Sequence, residues 1–364
     1  MQMKYAVLGA GHGGLAMAGH LGLMGHQVRL WARNQQALDG VARSGGVMLS
    51  GVVEGFGPVD VRPDLAGALA GADLVLVVVP ASAHREIAYN CAPYLSSGQK
   101  VLLMPGRTAG AIEFRHTLRA AGCTADVLVG EAQTFLYASR RTGPASARIH
   151  GIKRTVCAAA LPARRTMELL DAIKPAFPQF MPARWVWKTS LDNIGAIFHP
   201  AVVLMNTGWI ETTRGTFRHY LDGISPAVAG CLERLDAERV AVARALGVGA
   251  LSAIEWLGEA YGSAGSTLYE AIQQTPAYFG VGAIDTIDHR YLWEDVPTGL
   301  VPIAELGRAC SVPTPLTDSL IALASAVCGQ NFRSSGRTLA RLGLEGLSPE
   351  QIAYVAMEGE MIGA

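Results

Sequence analysis

Three glycines, Gly9, Gly11 and Gly14, stand in the spacing Gly-x-Gly-x-x-Gly directly behind the apolar run Tyr5–Leu8. The chemistry such a loop offers is contact with phosphate. Gly9 permits a tight strand-to-helix turn, Gly11 lets backbone N–H groups approach a pyrophosphate, and Gly14 lets helix and strand pack closely. The N-terminus of the following helix adds its partial positive charge. In a chain with 42 glycines the spacing alone is a weak signal. Its surroundings make it specific: a strand before it, a helix bearing Leu15, Ala18 and Leu21 after it, and a second strand over Gln27–Ala32. The stretch reads as a dinucleotide site, with His12 and Gly13 inside the loop; His12 either touches a phosphate or fills solvent space.

An NAD site usually offers an acid to the adenosine ribose about twenty residues after the glycines, whereas this chain reads Leu30-Trp-Ala-Arg-Asn34. With Arg33 and Asn34 in that place, the guanidinium fork can pair with a 2′-phosphate, which favours NADP(H) while leaving NAD(H) open. Pro80, which closes the run Leu74–Val79, and Pro105-Gly106, at the carboxyl end of another apolar run, are further cofactor candidates because ligands of open α/β sheets bind at that end. His84 follows the third strand, and a structural hydrogen bond is its default role.

A second chemically suggestive group lies far along the chain. Thr189–Pro200 carries His199 on an apolar helical face, with Asn206 seven residues on along the same face. Pro200 is expected to kink that helix. A histidine among apolar residues is either a satisfied core group or an acid/base, and the residues alone leave both open.

The elements that must position these groups follow from periodicity. Apolar runs at Ala6–Leu8, Val28–Trp31, Leu74–Val79, Val101–Met104 and Val127–Val129 alternate with helical stretches, the rhythm of a doubly wound parallel sheet; Arg148–His150 and Thr155–Ala159 read as added strands. Later, helical patterns take over at Ile194–Glu211, Ser225–Leu246, Ala250–Tyr261, Val301–Gly307, Thr314–Cys328 and Pro349–Met357. The expected division is a Rossmann-like α/β domain over 1–185 and an all-α domain over 186–364.

Thirty basic and thirty acidic side chains cancel, so no global field recruits nucleic acid or an anionic membrane. The longest strand-like run is far short of the ~20 residues that span a bilayer. Six cysteines without Cys-x-x-Cys spacing fit reduced thiols rather than a disulfide frame or metal knot, and no metal is expected. A strand and phosphate loop within the first residues leave no room for a signal or transit peptide, so the expectation is a cytoplasmic protein. The apolar stretch Ile321–Val327 suggests a homodimer through the helical half.

Across nearly its whole length the chain resembles the opine dehydrogenases, specifically the bacterial carboxyethyl-norvaline dehydrogenase type. The resemblance is carried by Val78-Val-Pro-Ala81 with His84, Pro105-Gly106, Gly110-Ala-Ile-Glu-Phe114, Glu131 to Arg140, Phe198-His-Pro200, Tyr220–Pro226, Leu235–Arg239 and Arg290–Pro297 running into Gly299–Pro302. It implies a helical domain like the C-terminal domain of 6-phosphogluconate dehydrogenase. It also implies reductive condensation of the amino group of an amino acid with a 2-oxo acid, commonly pyruvate, through an imine. The His-Pro motif then puts an acid/base at His199, and the Glu-Asp-Val-Pro motif puts its orienting carboxylate at Asp295; a helix cap is the alternative for Asp295. Two substrate carboxylates call for cations, for which Arg140 is the first candidate and Arg107 and Arg141 compete; Asn206 is the accompanying polar contact. Glycerol-3-phosphate dehydrogenases share the two-domain plan and the Leu30–Arg33 and Asn193–Ala196 patterns, but Asp192 stands where they carry a lysine. A hydroxy-acid dehydrogenase and a non-catalytic NADP(H) sensor are the competing functions.

Overall fold

Apolar runs buried on both faces organise the first half of the chain, as parallel strands covered by helices require. The computed structural model describes residues 2–359. In chain order the strands are β1 (Lys4–Leu8), β2 (Gln27–Trp31), β3 (Gly46–Gly51), β4 (Gly55–Pro58), β5 (Asp60–Val61), β6 (Leu74–Val77), β7 (Lys100–Leu103), β8 (Leu128–Ala132), β9 (Tyr137–Gly143), β10 (Ser146–Ile152), β11 (Val156–Leu161) and β12 (Phe180–Pro182). Eight form one sheet in the order β12-β11-β8-β7-β6-β1-β2-β5. From β5 to β8 neighbouring strands run parallel, whereas β11 pairs antiparallel to β8. The expected strand Thr155–Ala159 therefore turns the sheet from purely parallel to mixed.

A second, four-stranded sheet, β4-β3-β10-β9, was not legible beforehand apart from Arg148–His150. Its strands Gly46–Gly51 and Gly55–Pro58 hold glycine and proline where strand propensity is low, so they read as loop. The helix His12–Leu23 packs on it through its glycines. A Cβ on Gly19 would lie 2.9 Å from Cβ of Val47, and one on Gly22 would collide with the carbonyl oxygen of Pro58. Every residue from Gly14 to Gly22 is buried, which explains a helix without an apolar stripe.

Two compact units divide the chain. The first comprises residues up to Gly106, Gly110–Thr189 and the chain from Tyr354 on; the second comprises Arg107–Ala109 and Ser190–Ala353. The break after Thr189 falls inside the helix Val186–Leu191 rather than at 185, and the last helix, Pro349–Glu358, is shared between the units. In the second unit the main helices are Gly195–Met205, Thr207–Thr213, Pro226–Ala245, Ala253–Tyr261, Leu268–Gln273, Val301–Ala309 and Pro315–Cys328. Caps define their ends: Ser225 accepts from Val228 N ahead of Pro226, and Ser252 with Glu255 forms a capping box. The stretch expected as one helix from Ile194 to Glu211 breaks at Asn206, while Pro200 sits inside the first of the two pieces.

The core of this unit gathers Phe198, Leu204, Leu232, Ile272, Leu300, Ile321 and Phe332. Within the stretch Ile321–Val327, Ile321 and Ala324 are buried in this core, whereas Ala322, Leu323 and Ala326 are exposed. Arg239 is fully buried too, with Nε 2.8 Å from Asp236 Oδ1 and its other nitrogens donating to the carbonyls of Leu191 and Leu251. A buried cation compensated this completely is a structural strut. Among the described residues, the six cysteines are free, no helix is long and apolar enough to cross a membrane, and no cluster of His, Cys, Asp or Glu is arranged to hold a metal.

Candidate active site

The helix Gly195–Met205 is apolar nearly all round, and His199 is one of its few positions not fully buried. Its Nδ1 lies 2.8 Å from Oδ2 of Asp295, whose side chain is completely buried. Asp295 precedes a π-helical turn over Val296–Leu300 and caps no helix N–H, so its carboxylate serves His199 instead of the backbone. Tyr291 lies four residues before Asp295 and stacks on the imidazole, with ring centroids 4.0 Å apart and planes at 16°. One bond fixes Nδ1 and one ring fixes the plane, which leaves Nε2 to exchange protons.

Arg107 completes this group. It stands in the left-handed region at φ 58°, uncommon for a residue with a side chain. One guanidinium nitrogen is 3.4 Å from Asp295 Oδ1 and 3.3 Å from Asn193 Oδ1, while Nε is 3.4 Å from Glu294 Oε1. Burial alone would raise the Asp295 carboxyl, but the charges of Arg107 and then His199, together with the His199 hydrogen bond, outweigh it and hold Asp295 below the usual carboxylate range. Beside Tyr291 lies His219, fully buried, its ring centroid 5.2 Å from that of the tyrosine and neither ring nitrogen partnered among the described residues. Burial, followed by the nearby His199 and His289, lowers its pKa to about 3. His219 is therefore a neutral neighbour.

In the first unit the glycine loop shows the features a pyrophosphate needs. Gly9 sits at φ 120°, where a Cβ would collide with the carbonyl oxygen of Val78, and a Cβ on Gly14 would collide with the carbonyl oxygen of Gly9. Around Gly11 nothing lies within 4 Å of a Cβ, so the loop is open there. Gly11 is also the cap of the helix His12–Leu23, which has no side-chain cap bond and no acid in its first turn, an arrangement that suits the approach of an anion. The residues present fit a dinucleotide. His12 braces the loop, its Nδ1 accepting from the backbone N–H of Arg141 at 2.9 Å, and a Cβ on Gly13 would come 2.7 Å from Phe135.

The remaining expected cofactor residues spread along the carboxyl ends of the strands. Arg33 is 74% exposed and pairs with Glu86 at 2.7 Å. Asn34 accepts from Gln36 N at 3.1 Å and shapes the loop behind β2. Pro80 is exposed at the start of the short helix Ala81–Ala83. Pro105 and Gly106 follow β7, and a Cβ on Gly106 would come within 2.5 Å of Cβ of Glu131. His84 is buried, with its Nδ1 3.5 Å from where a Cβ on Gly110 would stand.

The cationic clamps fare differently. Arg140 is exposed on β9, opposite Arg148 of β10. Arg141 is a strut whose guanidinium donates to the carbonyls of Ala10, Ala37, Gly143 and Pro144. Arg107, a competing clamp in the sequence reading, is committed to Asp295, Glu294 and Asn193. Asn206 donates its amide hydrogens to the carbonyls of Val202 and Gly223 at 2.8 and 2.9 Å, which leaves only its oxygen for another partner. Sequence reasoning had passed over Tyr291, Glu294 and His219. The spacing of Tyr291 four residues before Asp295 was a readable signal; nothing in the sequence pointed to His219.

Known proteins bear on this arrangement in both units. Residues 182–328 match the family model described as NAD/NADP octopine/nopaline dehydrogenase, alpha-helical domain, and residues 4–106 match NAD-dependent glycerol-3-phosphate dehydrogenase N-terminus. An opine dehydrogenase of Arthrobacter sp. (strain 1C) is 41% identical over 347 residues, 94% of this chain and 96% of its own length. Protein ocs of Agrobacterium tumefaciens (strain Ach5) is 28% identical over 96% of this chain and 98% of its own length. Among solved structures, octopine dehydrogenase with NADH and L-arginine superposes with a TM-score of 0.82 at 21% identity, covering 99% of this chain and 98% of that one. Yersinopine dehydrogenase with NADP+ bound gives 0.76 at 17%, covering 98% of each chain. The chain therefore belongs to the opine dehydrogenase family, NAD(P)-dependent oxidoreductases acting on CH–NH bonds.

Proposed function

We propose that this chain condenses the amino group of an L-amino acid with a 2-oxo acid, pyruvate first among them, and reduces the resulting imine with NADP(H) in preference to NAD(H). The hydrogen bond between His199 Nδ1 and the buried Asp295 is the observation that carries the reading. It holds the imidazole in one tautomer and stabilises the imidazolium form. His199 donates a proton from Nε2 to the departing hydroxyl as the carbinolamine loses water, and in the reverse direction takes that proton back from the water that adds to the imine. Tyr291 keeps the ring in plane during that exchange, and Arg107 keeps Asp295 ionised. The loop Gly9–Gly14 and the uncapped helix behind it hold the coenzyme pyrophosphate, while Arg33 and Asn34 meet the adenosine end. When bound, the reduced nicotinamide supplies the hydride that reaches the imine carbon.

Arg140, exposed and in search of an anion, is the proposed partner of a substrate carboxylate; Asn206 contributes only its carbonyl oxygen. The reading also makes the protein a cytoplasmic homodimer. Six free cysteines suit a reducing compartment, and the helical unit exposes Met205, Trp209 and Leu323 as apolar surface for a second copy. The test of function is a panel of amino acids crossed with pyruvate, glyoxylate and 2-oxoglutarate, scored by NADPH and NADH oxidation. Oxidation is expected only with both organic partners present. Reduction of the oxo acid without an amine would replace this reading with a hydroxy-acid dehydrogenase, and tight NADPH binding without turnover on any pair would replace it with a sensor.

A further inference from the structure

We infer that Glu86 sets the preference between phosphorylated and unphosphorylated coenzyme by competing for Arg33; this rests on the reading of Arg33 as the 2′-phosphate partner. The sheet order β6-β1-β2 places the two residues on opposite flanks of β1, the strand that leads into the glycine loop. Arg33 follows β2, and Glu86 stands in the first turn of the helix His84–Cys91, which follows β6. Their ion pair at 2.7 Å therefore spans the carboxyl edge where an open α/β sheet takes its ligand. The sequence lacks an acid at the end of β2, and this geometry supplies one from the other flank.

The consequence is a two-sided contact. With an unphosphorylated ribose, Glu86 keeps Arg33 and offers a carboxylate oxygen to the ribose hydroxyls. A 2′-phosphate has to draw the same guanidinium away from Glu86 and then sit near a like charge. Both side chains are exposed, Arg33 at 74% and Glu86 at 46%, so the competition is modest. An exposed ion pair amounts to no more than about a factor of five in binding.

The experiment is a fluorescence titration of the purified full-length protein with NADPH and with NADH, for the wild type, Glu86→Gln, Arg33→Ala and the double variant. Glu86→Gln is expected to tighten NADPH roughly three- to fivefold and leave NADH equal or weaker. Arg33→Ala is expected to weaken NADPH about tenfold or more while changing NADH little. In the Arg33→Ala background, Glu86→Gln is expected to lose most of its effect on NADPH. An unchanged NADPH-to-NADH ratio in Glu86→Gln, with Arg33→Ala still shifting it, overturns the role of Glu86 alone. A ratio that Arg33→Ala does not move overturns the proposal together with the assignment of Arg33 to the 2′-phosphate. Because both positions are on the surface, equal melting temperatures are expected for all four proteins.

Discussion

Replacing Asp295 by asparagine tests the centre of the mechanism with almost no change in shape. The carboxylate makes one short hydrogen bond, 2.8 Å to His199 Nδ1, from a fully buried position. Asparagine keeps the volume but removes the charge that stabilises an imidazolium, and it can present an N–H to Nδ1 and so favour the wrong tautomer. Loss of an orienting carboxylate in a comparable acid–base pair costs up to ~10⁴-fold, and acid–base catalysis as a whole is worth about 10²–10⁴-fold. The expected loss in kcat/KM is therefore roughly 10²- to 10⁴-fold. Stability is expected to suffer less than the ~3–5 kcal/mol of a broken buried pair, because Arg107 retains Glu294 at 3.4 Å. The assay is oxidation of NADPH with pyruvate and the best amino acid, alongside a coenzyme titration and a melting curve. Turnover within about threefold of wild type across the pH range, from a protein with an unchanged melting temperature and coenzyme affinity, would refute the role assigned to Asp295.

Four further outcomes follow from named contacts. His199→Ala is expected to lower kcat by about 10²-fold or more with NADPH affinity intact, and undiminished turnover removes it from the mechanism. Arg107→Lys is expected to retain more activity than Arg107→Met, since a cation near Asp295 Oδ1 is what the site requires; equal activities would make the arginine a packing residue. Gly11→Ala is expected to fold normally and weaken coenzyme binding, whereas Gly14→Ala, whose Cβ meets the Gly9 carbonyl, is expected to lower the melting temperature; the reverse order would contradict the loop geometry. His219 has a folded-state pKa of about 3 against the usual 6.5, so the unfolded chain binds the extra proton between those values. Its contribution is whole above about 6.5 and is lost as pH falls, at up to ~1.4 kcal/mol per unit. Asp295 acts lower, losing its contribution as pH drops through a value below the ordinary ~3.9. Denaturant midpoints between pH 7 and 5 are expected to fall less steeply in His219→Phe, and an unaltered slope would mean that His219 is not buried and neutral.

The sequence disclosed the parts of the fold that rest on continuous apolar runs. Strands such as Leu74–Val77 are buried on both faces and have no competing local reading. It concealed the second sheet because Gly55, Gly57 and Pro58 lie in close approach to the helix His12–Leu23 and Gly46 lies against Phe56 and Gly57 of the neighbouring strand, and close approach erases the propensity signal. The candidate site was half legible for a similar reason. His199 and Asp295 lie in distinctive short motifs, but Arg107 belongs to the helical unit although it follows β7, and no pattern along the chain announces that a strand end crosses into another unit.

That placement has a physical logic. For the acid–base role proposed for His199, a helix as apolar as Gly195–Met205 requires that any charge formed on the ring be met at once, because an unpaired ion in such surroundings costs several kcal/mol. Asp295 meets it, and Asp295 in turn is tolerable when the imidazole is neutral because Arg107 stands 3.4 Å away. Glu294 then balances the arginine. The four groups together carry −1 with a neutral imidazole and 0 with an imidazolium, the same sums as an isolated Asp–His pair, but Asp295 keeps a cation within 3.4 Å in both states. The left-handed backbone at Arg107 is the conformational cost of bringing the third partner in from a different segment of the chain.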